Sequence, residues 1–345
     1  MKLPGMIDVH VHLRVPGGEH KEDFHTGTAA ALAGGITALL AMPNTFPPIV
    51  TREHLFIAQE KAKSESLCDV FMLAGASAGH LQELPEMGKL APALKLYMDQ
   101  TYGPLQVNGL ANLMTVFQRW PADKVICIHA EQESIAAAIG VLKAVPRPIH
   151  FCHVSRKEEI ELIARAKERG LPVTCEVTPH HLFLTEKDAA RMGPFGDMRP
   201  VLAEERDVNA LWDHIHTTID CIASDHAPHT RQEKEGQNPP PGVPGLESSL
   251  PLMLTAAAQG RLSYDRLVEL MYSNPRCIFS LPEQPDTWVE IDPAAAYSFP
   301  DHPLYTKCKW SPFEGFQMQG RIRNVIFRGK NVIRDGELLP PLCVD

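Results

Sequence analysis

With 345 residues and 44% hydrophobic content, the chain can build a large core, as one α/β barrel or as two smaller domains. A formal charge of −9 argues against a general nucleic-acid binder, which needs a basic face for phosphates. No apolar stretch approaches the ~20 residues of a membrane span, and no basic, apolar and small-residue leader is visible at the start.

Short apolar runs of β character recur along the chain, most of them followed by a segment of helical character. The strands are expected at Met6–Leu13, Ile36–Ala41, Val70–Ala74, Ala93–Tyr97, Val125–His129, Ile149–His153, Val173–Val177 and Ile219–Ser224. Helices are expected at Phe24–Ala33, Arg52–Ser64, Gly109–Arg119, Glu131–Ala144, Arg156–Arg169 and Glu204–His216, with two more near Ser248–Gln259 and Tyr264–Tyr272. Fully apolar strands alternating with helices indicate a parallel sheet covered on both faces. Eight of them suggest a (β/α)8 TIM-type barrel, with a doubly wound sheet as the alternative. After Phe279 prolines become frequent, and Trp288–Ile291 and Arg321–Arg328 read as strands of a small sheet, with a turn at Arg334-Asp335-Gly336. The division expected is a barrel over residues 1–279 and a small β-containing satellite over 280–345. Gln237–Gly245, with four prolines and two glycines, is expected to be an ordered loop near the site. The eight cysteines form no CxxC pair, and Cys127, Cys152, Cys175 and Cys221 sit in apolar runs. Reduced, buried thiols in a cytoplasmic protein are the expectation.

In such a barrel, functional groups gather at the C-terminal ends of the strands. His10 and His12 lie two apart on strand one, so strand alternation turns both to one face. Lys95 lies on strand four, His129 ends strand five, His153 ends strand six, and strand eight runs into Asp225. A lone strand-end histidine is usually an ordinary polar residue, but six suitable groups on five strand ends point to a metal centre. Lys95 stands between apolar Leu94 and Leu96, where a buried ammonium is expensive. It is either paired with a carboxylate or converted by carbon dioxide into an anionic carbamate able to bridge two metals.

The segments Ile7–Arg14, Ala41-Met42-Pro43-Asn44-Thr45, Leu94-Lys95-Leu96-Tyr97 and Ala223-Ser224-Asp225-His226-Ala227-Pro228-His229 closely resemble dihydroorotases of the amidohydrolase superfamily. Supporting matches are Lys21-Glu22-Asp23-Phe24, Gly27–Gly35, His129-Ala130-Glu131-Gln132, Pro179-His180-His181-Leu182-Phe183-Leu184 and Pro239–Glu247. The resemblance runs nearly end to end and looks nearest to the dihydroorotase domain of the animal multifunctional pyrimidine-synthesis protein. It implies reversible closure of N-carbamoyl-L-aspartate to L-dihydroorotate. It implies one zinc on His10, His12, carboxylated Lys95 and Asp225, and a second on Lys95, His129 and His153. Arg14, Asn44 and His229 are then substrate contacts, with the backbone around Pro241 and Gly242 at the ring edge. Asp225 is also the group that carries the proton between water and the ring nitrogen. Cys152 and Glu176 are candidates for a third zinc site, although alternation turns Cys152 away from the face of His153. Thr101 and Tyr102, after strand four, resemble a pair on a lid that closes over substrate in related animal domains. The family usually has glutamate where this chain has Val15. The resemblance also implies a homodimer, and fusion to carbamoyl phosphate synthetase and aspartate transcarbamoylase. The rival readings are a dihydropyrimidinase or hydantoinase, a non-catalytic assembly subunit, and a simple metal-binding module.

Overall fold

A computed structural model describes residues 1–101, 103 and 105–340. Fourteen strands occur among them. β1 (Lys2–Pro4) is followed by β2 (Met6–Val11), β3 (Ile36–Ala41), β4 (Asp69–Met72), β5 (Ala74–Gly75), β6 (Ala93–Tyr97) and β7 (Val125–His129). Then come β8 (Ile149–Phe151), β9 (Val173–Val177), β10 (Cys221–Ile222), β11 (Trp288–Ser298), β12 (Gln317–Phe327), β13 (Lys330–Arg334) and β14 (Glu337–Leu338).

The strands from β2 to β10 pair in parallel in two arcs, β2-β3-β4 and β5-β6-β7-β8-β9-β10. One break falls at Leu73, whose N–H still donates to Ala41 O at 3.0 Å. The other is bridged where His12 N donates to His226 O at 2.8 Å. The ring therefore closes as a TIM-type barrel. Strands β2, β3, β6 and β7 are wholly buried and mostly apolar apart from the site residues they carry, because helices cover them outside and side chains fill them inside. Ile7, Val9, Ala38, Leu40, Ala93, Cys127, Cys221 and Phe279 pack the interior. A much larger cluster, with Leu32, Phe117, Ile160 and Leu211, seals strands to helices.

Most expected elements are present to within a few residues. The third expected strand is split into β4 and β5, and the eighth shrinks to β10 because irregular backbone carries its polar end toward the site. The helix expected over Tyr264–Tyr272 becomes Tyr264–Val268, a π turn over Glu269–Ser273, and a helix over Asn274–Ile278. Pro275 is accommodated in the first turn of that last helix, where no amide donor is missed. The small sheet is larger than the sequence suggests, because β11 and β12 are 11 residues each and pair with one another across two register shifts. Its order is β1-β11-β12-β13-β14, so the first residues of the chain join the last strands. The seven described cysteines are all free, and only Cys277 is exposed.

Candidate metal centre and active site

The C-terminal ends of the strands deliver the expected residues to one place. His10, His12, Arg14, Asn44, Thr101, His129, His153, Asp225, Pro241 and Gly242 line a single cavity, together with Tyr97, Arg199 and Ala227. Arg14, His153 and Asp225 have φ of 62°, 34° and 45°, the left-handed region that side chains disfavour. Such strain needs support from its surroundings, and here it re-aims three strand-end side chains into the mouth.

Asp225 Oδ1 lies 3.0 Å from His12 Nε2 and 3.4 Å from His10 Nε2, a set of three ligand atoms able to hold a metal ion. His129 Nδ1 stands 2.8 Å from His153 Nε2, and the His153 Nδ1 is buried with no partner among the described residues. Lys95 is wholly buried, with Nζ 2.9 Å from Cys152 Sγ and 3.5 Å from His10 Nε2. A second ligand cluster joins His10, Cys152 and Glu176. Here one expectation fails. Cys152 was expected to turn away from His153, but β8 ends at Phe151 and His153 is left-handed, so alternation no longer applies. Cys152 faces the interior beside Lys95.

Partners fix the orientation of the rings. Asn44 Oδ1 is 2.7 Å from His12 Nδ1, and Glu176 Oε1 is 2.5 Å from His10 Nδ1. Each acceptor holds the proton on Nδ1 and leaves Nε2 facing Asp225. Glu176 also accepts from His150 Nε2 at 3.1 Å and from His153 N at 3.2 Å. His150 was not singled out in the sequence, since its role depends on a carboxylate from the neighbouring strand. Nor was Asp8, which accepts from His10 N and Ser224 N at 3.1 Å and ties β2 to the segment after β10.

The electrostatics call for a cation. Burial and the Lys95 charge push His10 down, yet Asp225 and Glu176 outweigh them and hold it up at about 10. A divalent ion beside His10 answers the same demand without a proton. Burial raises the Asp225 carboxyl, but the His10 charge beside it holds it well below the carboxylate range. Burial, helped by neighbouring positive charge, lowers His12 to about 4 and holds His153 well below the usual histidine value, so both are neutral imidazoles of the kind metals take. Lys95 differs from the neutral amine that a carbamate requires. Burial lowers it, but Cys152, Tyr97 and Glu176 hold the unmodified group charged.

Arg14 Nη2 stands 3.1 Å from His229 Nε2, and its Nε donates to Pro228 O at 3.2 Å. Burial, then Arg14, Lys21 and Lys234, keep His229 neutral. His229 Nε2 also lies 3.0 Å from Pro241 O. Gly242 has φ 133°, and a Cβ there would sit 2.6 Å from Ala227 O, so only glycine fits. Val15 is buried in the apolar core and makes no polar contact with the cavity. Tyr102, expected beside Thr101 on the loop, lies outside the described residues.

Residues 1–137 match the family model described as dihydro-orotase-like. A dihydroorotase of Pyrococcus furiosus is 33% identical over 98% of this chain and 82% of its own length. The chain belongs to the dihydroorotase family. It is also 48% identical, over 99% of its length, to the multifunctional protein CAD of Squalus acanthias, of which it spans 15%. Among solved structures, an L-hydantoinase (dihydropyrimidinase) from Arthrobacter aurescens matches with a TM-score of 0.94. That match covers 99% of this chain and 87% of the other at 27% identity, which supports the amidohydrolase barrel. The donor set fits the metals such dihydroorotases imply: neutral imidazoles, a buried carboxylate, an unpartnered His153 Nδ1 and a surplus of negative charge around His10.

Proposed function

We propose that this chain is a zinc-dependent dihydroorotase that reversibly closes N-carbamoyl-L-aspartate to L-dihydroorotate. The observation that carries this reading is one cavity lined by His10, His12, His129, His153 and Asp225 and also by Arg14. A hydantoinase or dihydropyrimidinase shares the metal ligands but has no ring carboxylate for Arg14 to meet. A non-catalytic assembly subunit has no need of Asp225 beside a complete ligand set, and neither does a simple metal-binding module.

His10, His12 and Asp225 would hold one zinc, and His129 and His153 the other, with a carbamate on Lys95 between them. Bound there, such a pair lowers the pKa of a water and polarises the carbonyl that it attacks. Arg14 receives the substrate carboxylate as a charge-assisted fork, and Asn44 and His229 complete the polar contacts. The backbone at Pro241 and Gly242 forms the ring edge. Asp225 takes the proton from the attacking water and returns it to the ring nitrogen as the amide bond breaks. In the cyclising direction the same carboxyl takes the ureido proton as nitrogen closes on the side-chain carboxyl, and gives it to the carboxyl oxygen whose bond to carbon breaks; that oxygen leaves as water once solvent supplies the second proton. Converting Lys95 to a carbamate exchanges a buried cation for an anion at the strand end, which brings the site's charge into line with bound metals. Cys152 and Glu176, with His10, form the candidate third zinc site. Thr101 lines the cavity at the start of the loop and is read as part of a lid over bound substrate. Fusion to carbamoyl phosphate synthetase and aspartate transcarbamoylase, a homodimer and a cytoplasmic setting belong to the same proposal. Among the described residues no helix is long and apolar enough to cross a membrane.

Metal analysis combined with turnover on dihydroorotate and on dihydrouracil tests the reading. Turnover confined to dihydroorotate is expected, at about two zincs per chain or three where the His10, Cys152 and Glu176 site is filled. Preference for dihydrouracil, or a metal-loaded but inert chain, would reject it.

A further inference from the structure

The loop that forms the ring edge has an unusual chemical problem. Over Pro239-Pro240-Pro241-Gly242-Val243-Pro244, four of six residues are proline, so only Gly242 and Val243 carry an amide proton. The loop cannot be secured as most loops are, by its own N–H groups, and its carbonyls must instead find donors. Gly242 N donates to Asp197 O at 2.9 Å, and Val243 O accepts from Ala227 N at 2.8 Å. The three carbonyls between alternate: Pro240 O and Gly242 O meet one partner, and Pro241 O another.

Lys234 is the first partner. It ends the short helix Arg231–Lys234 and has no exposed surface, although in sequence it sits in the polar run Arg-Gln-Glu-Lys-Glu. Its Nζ donates to Pro240 O at 3.0 Å, to Gly242 O at 3.1 Å and to Asp197 O at 3.2 Å. Three ammonium protons thus meet three carbonyls. No carboxylate oxygen lies within 4 Å of Nζ among the described residues, and the indole of Trp310 is 5.8 Å away. Burial lowers this amine to about 8 against the opposing Asp197 charge, so the cation is kept here at a cost that backbone carbonyls offset. Pro241 O meets His229 Nε2, which in turn meets Arg14.

From this geometry we infer that Lys234 is a positioning residue for the substrate pocket: its ammonium gathers the carbonyls of Pro240, Gly242 and Asp197, and so aims the Pro241–Gly242 peptide at the ring and Pro241 O at His229. Lys234 touches no reacting atom and acts through the loop. The inference deepens the dihydroorotase reading, on which its kinetic test rests.

The test compares Lys234→Met, which keeps the aliphatic stem, with Lys234→Gln, which keeps a shorter donor. In folded, zinc-loaded Lys234→Met, KM for dihydroorotate should rise at least ~10-fold while kcat stays within about threefold, because ring-edge contacts are lost in ground and transition states alike. Lys234→Gln should fall between it and the parent chain. A residue that served only stability would lower the melting temperature and leave KM unchanged, and that outcome would overturn the inference. Hydrogen exchange in the unmodified chain gives a second measurement that needs neither folding variants nor turnover. The Gly242 amide should exchange as slowly as amides of β6 and β7, and exchange at an open-loop rate would also overturn it. Failure of the unmodified chain to act on dihydroorotate rejects the functional reading and leaves the exchange measurement to decide the role of Lys234.

Discussion

Asp225→Asn is the most informative single change. The Asp225 side chain is 11% exposed, with Oδ1 at 3.0 Å from His12 Nε2 and 3.4 Å from His10 Nε2. Asparagine has nearly the same shape, so neither the left-handed turn at φ 45° nor the surrounding packing has reason to move. What it lacks is the capacity to take and return a proton, and at this burial bulk water is a poor substitute. General acid–base groups contribute ~10²- to 10⁴-fold, equivalent to about 2.7–5.5 kcal/mol in the barrier. Because proton transfer belongs to the transition state, kcat and kcat/KM should fall together by that factor, with KM little changed. The assay is steady-state hydrolysis of dihydroorotate, with zinc content and melting temperature measured on the same preparation. A variant that keeps its zinc and turns over within tenfold of the parent chain would refute the proton-carrier role.

Lys95→Ala should abolish turnover and remove most of the zinc held by His129 and His153; metal analysis showing both zincs retained would count against a bridging carbamate. Thr101→Ala should lower kcat while leaving zinc content and melting temperature unchanged, and normal turnover would mean that the loop is no lid. Glu247 supplies a pH prediction away from the metals: burial raises its carboxyl to about 7, although Tyr305 N and Thr306 N donate to it at 2.8 and 3.1 Å. A raised folded-state value favours the protonated form, so this contribution is full below the ordinary value of 4.5 and is lost as pH rises through about 7. Its span is on the order of 3 kcal/mol. Urea denaturation of the parent chain and Glu247→Gln at pH 5 and pH 7.5 should differ in slope with pH by about that much, and parallel profiles would show that Glu247 does not titrate in this range.

The sequence by itself determined the barrel and the identity of the candidate ligands. Apolar strands alternating with helices leave few topologies, and a parallel barrel brings every strand's C-terminal end to one mouth. His10, His12, Lys95, His129, His153 and Asp225 could therefore be collected without knowing a single distance. Local pattern failed where the backbone leaves the strand. The left-handed turn at His153 cancelled the alternation that had sent Cys152 outward, and two-residue β10 was hidden inside a longer apolar run. Contacts across elements were equally out of reach: Glu176 on His10, Asn44 on His12, and β1 paired with β11. Lys234 is the clearest case. Read locally it is a solvated lysine in a charged turn, and only the folding of a proline-rich loop with few amide protons over its ammonium makes it a buried anchor. A side chain's identity is written in the sequence, but its partners depend on which distant backbone groups lack a donor or acceptor of their own, and only the tertiary structure decides that.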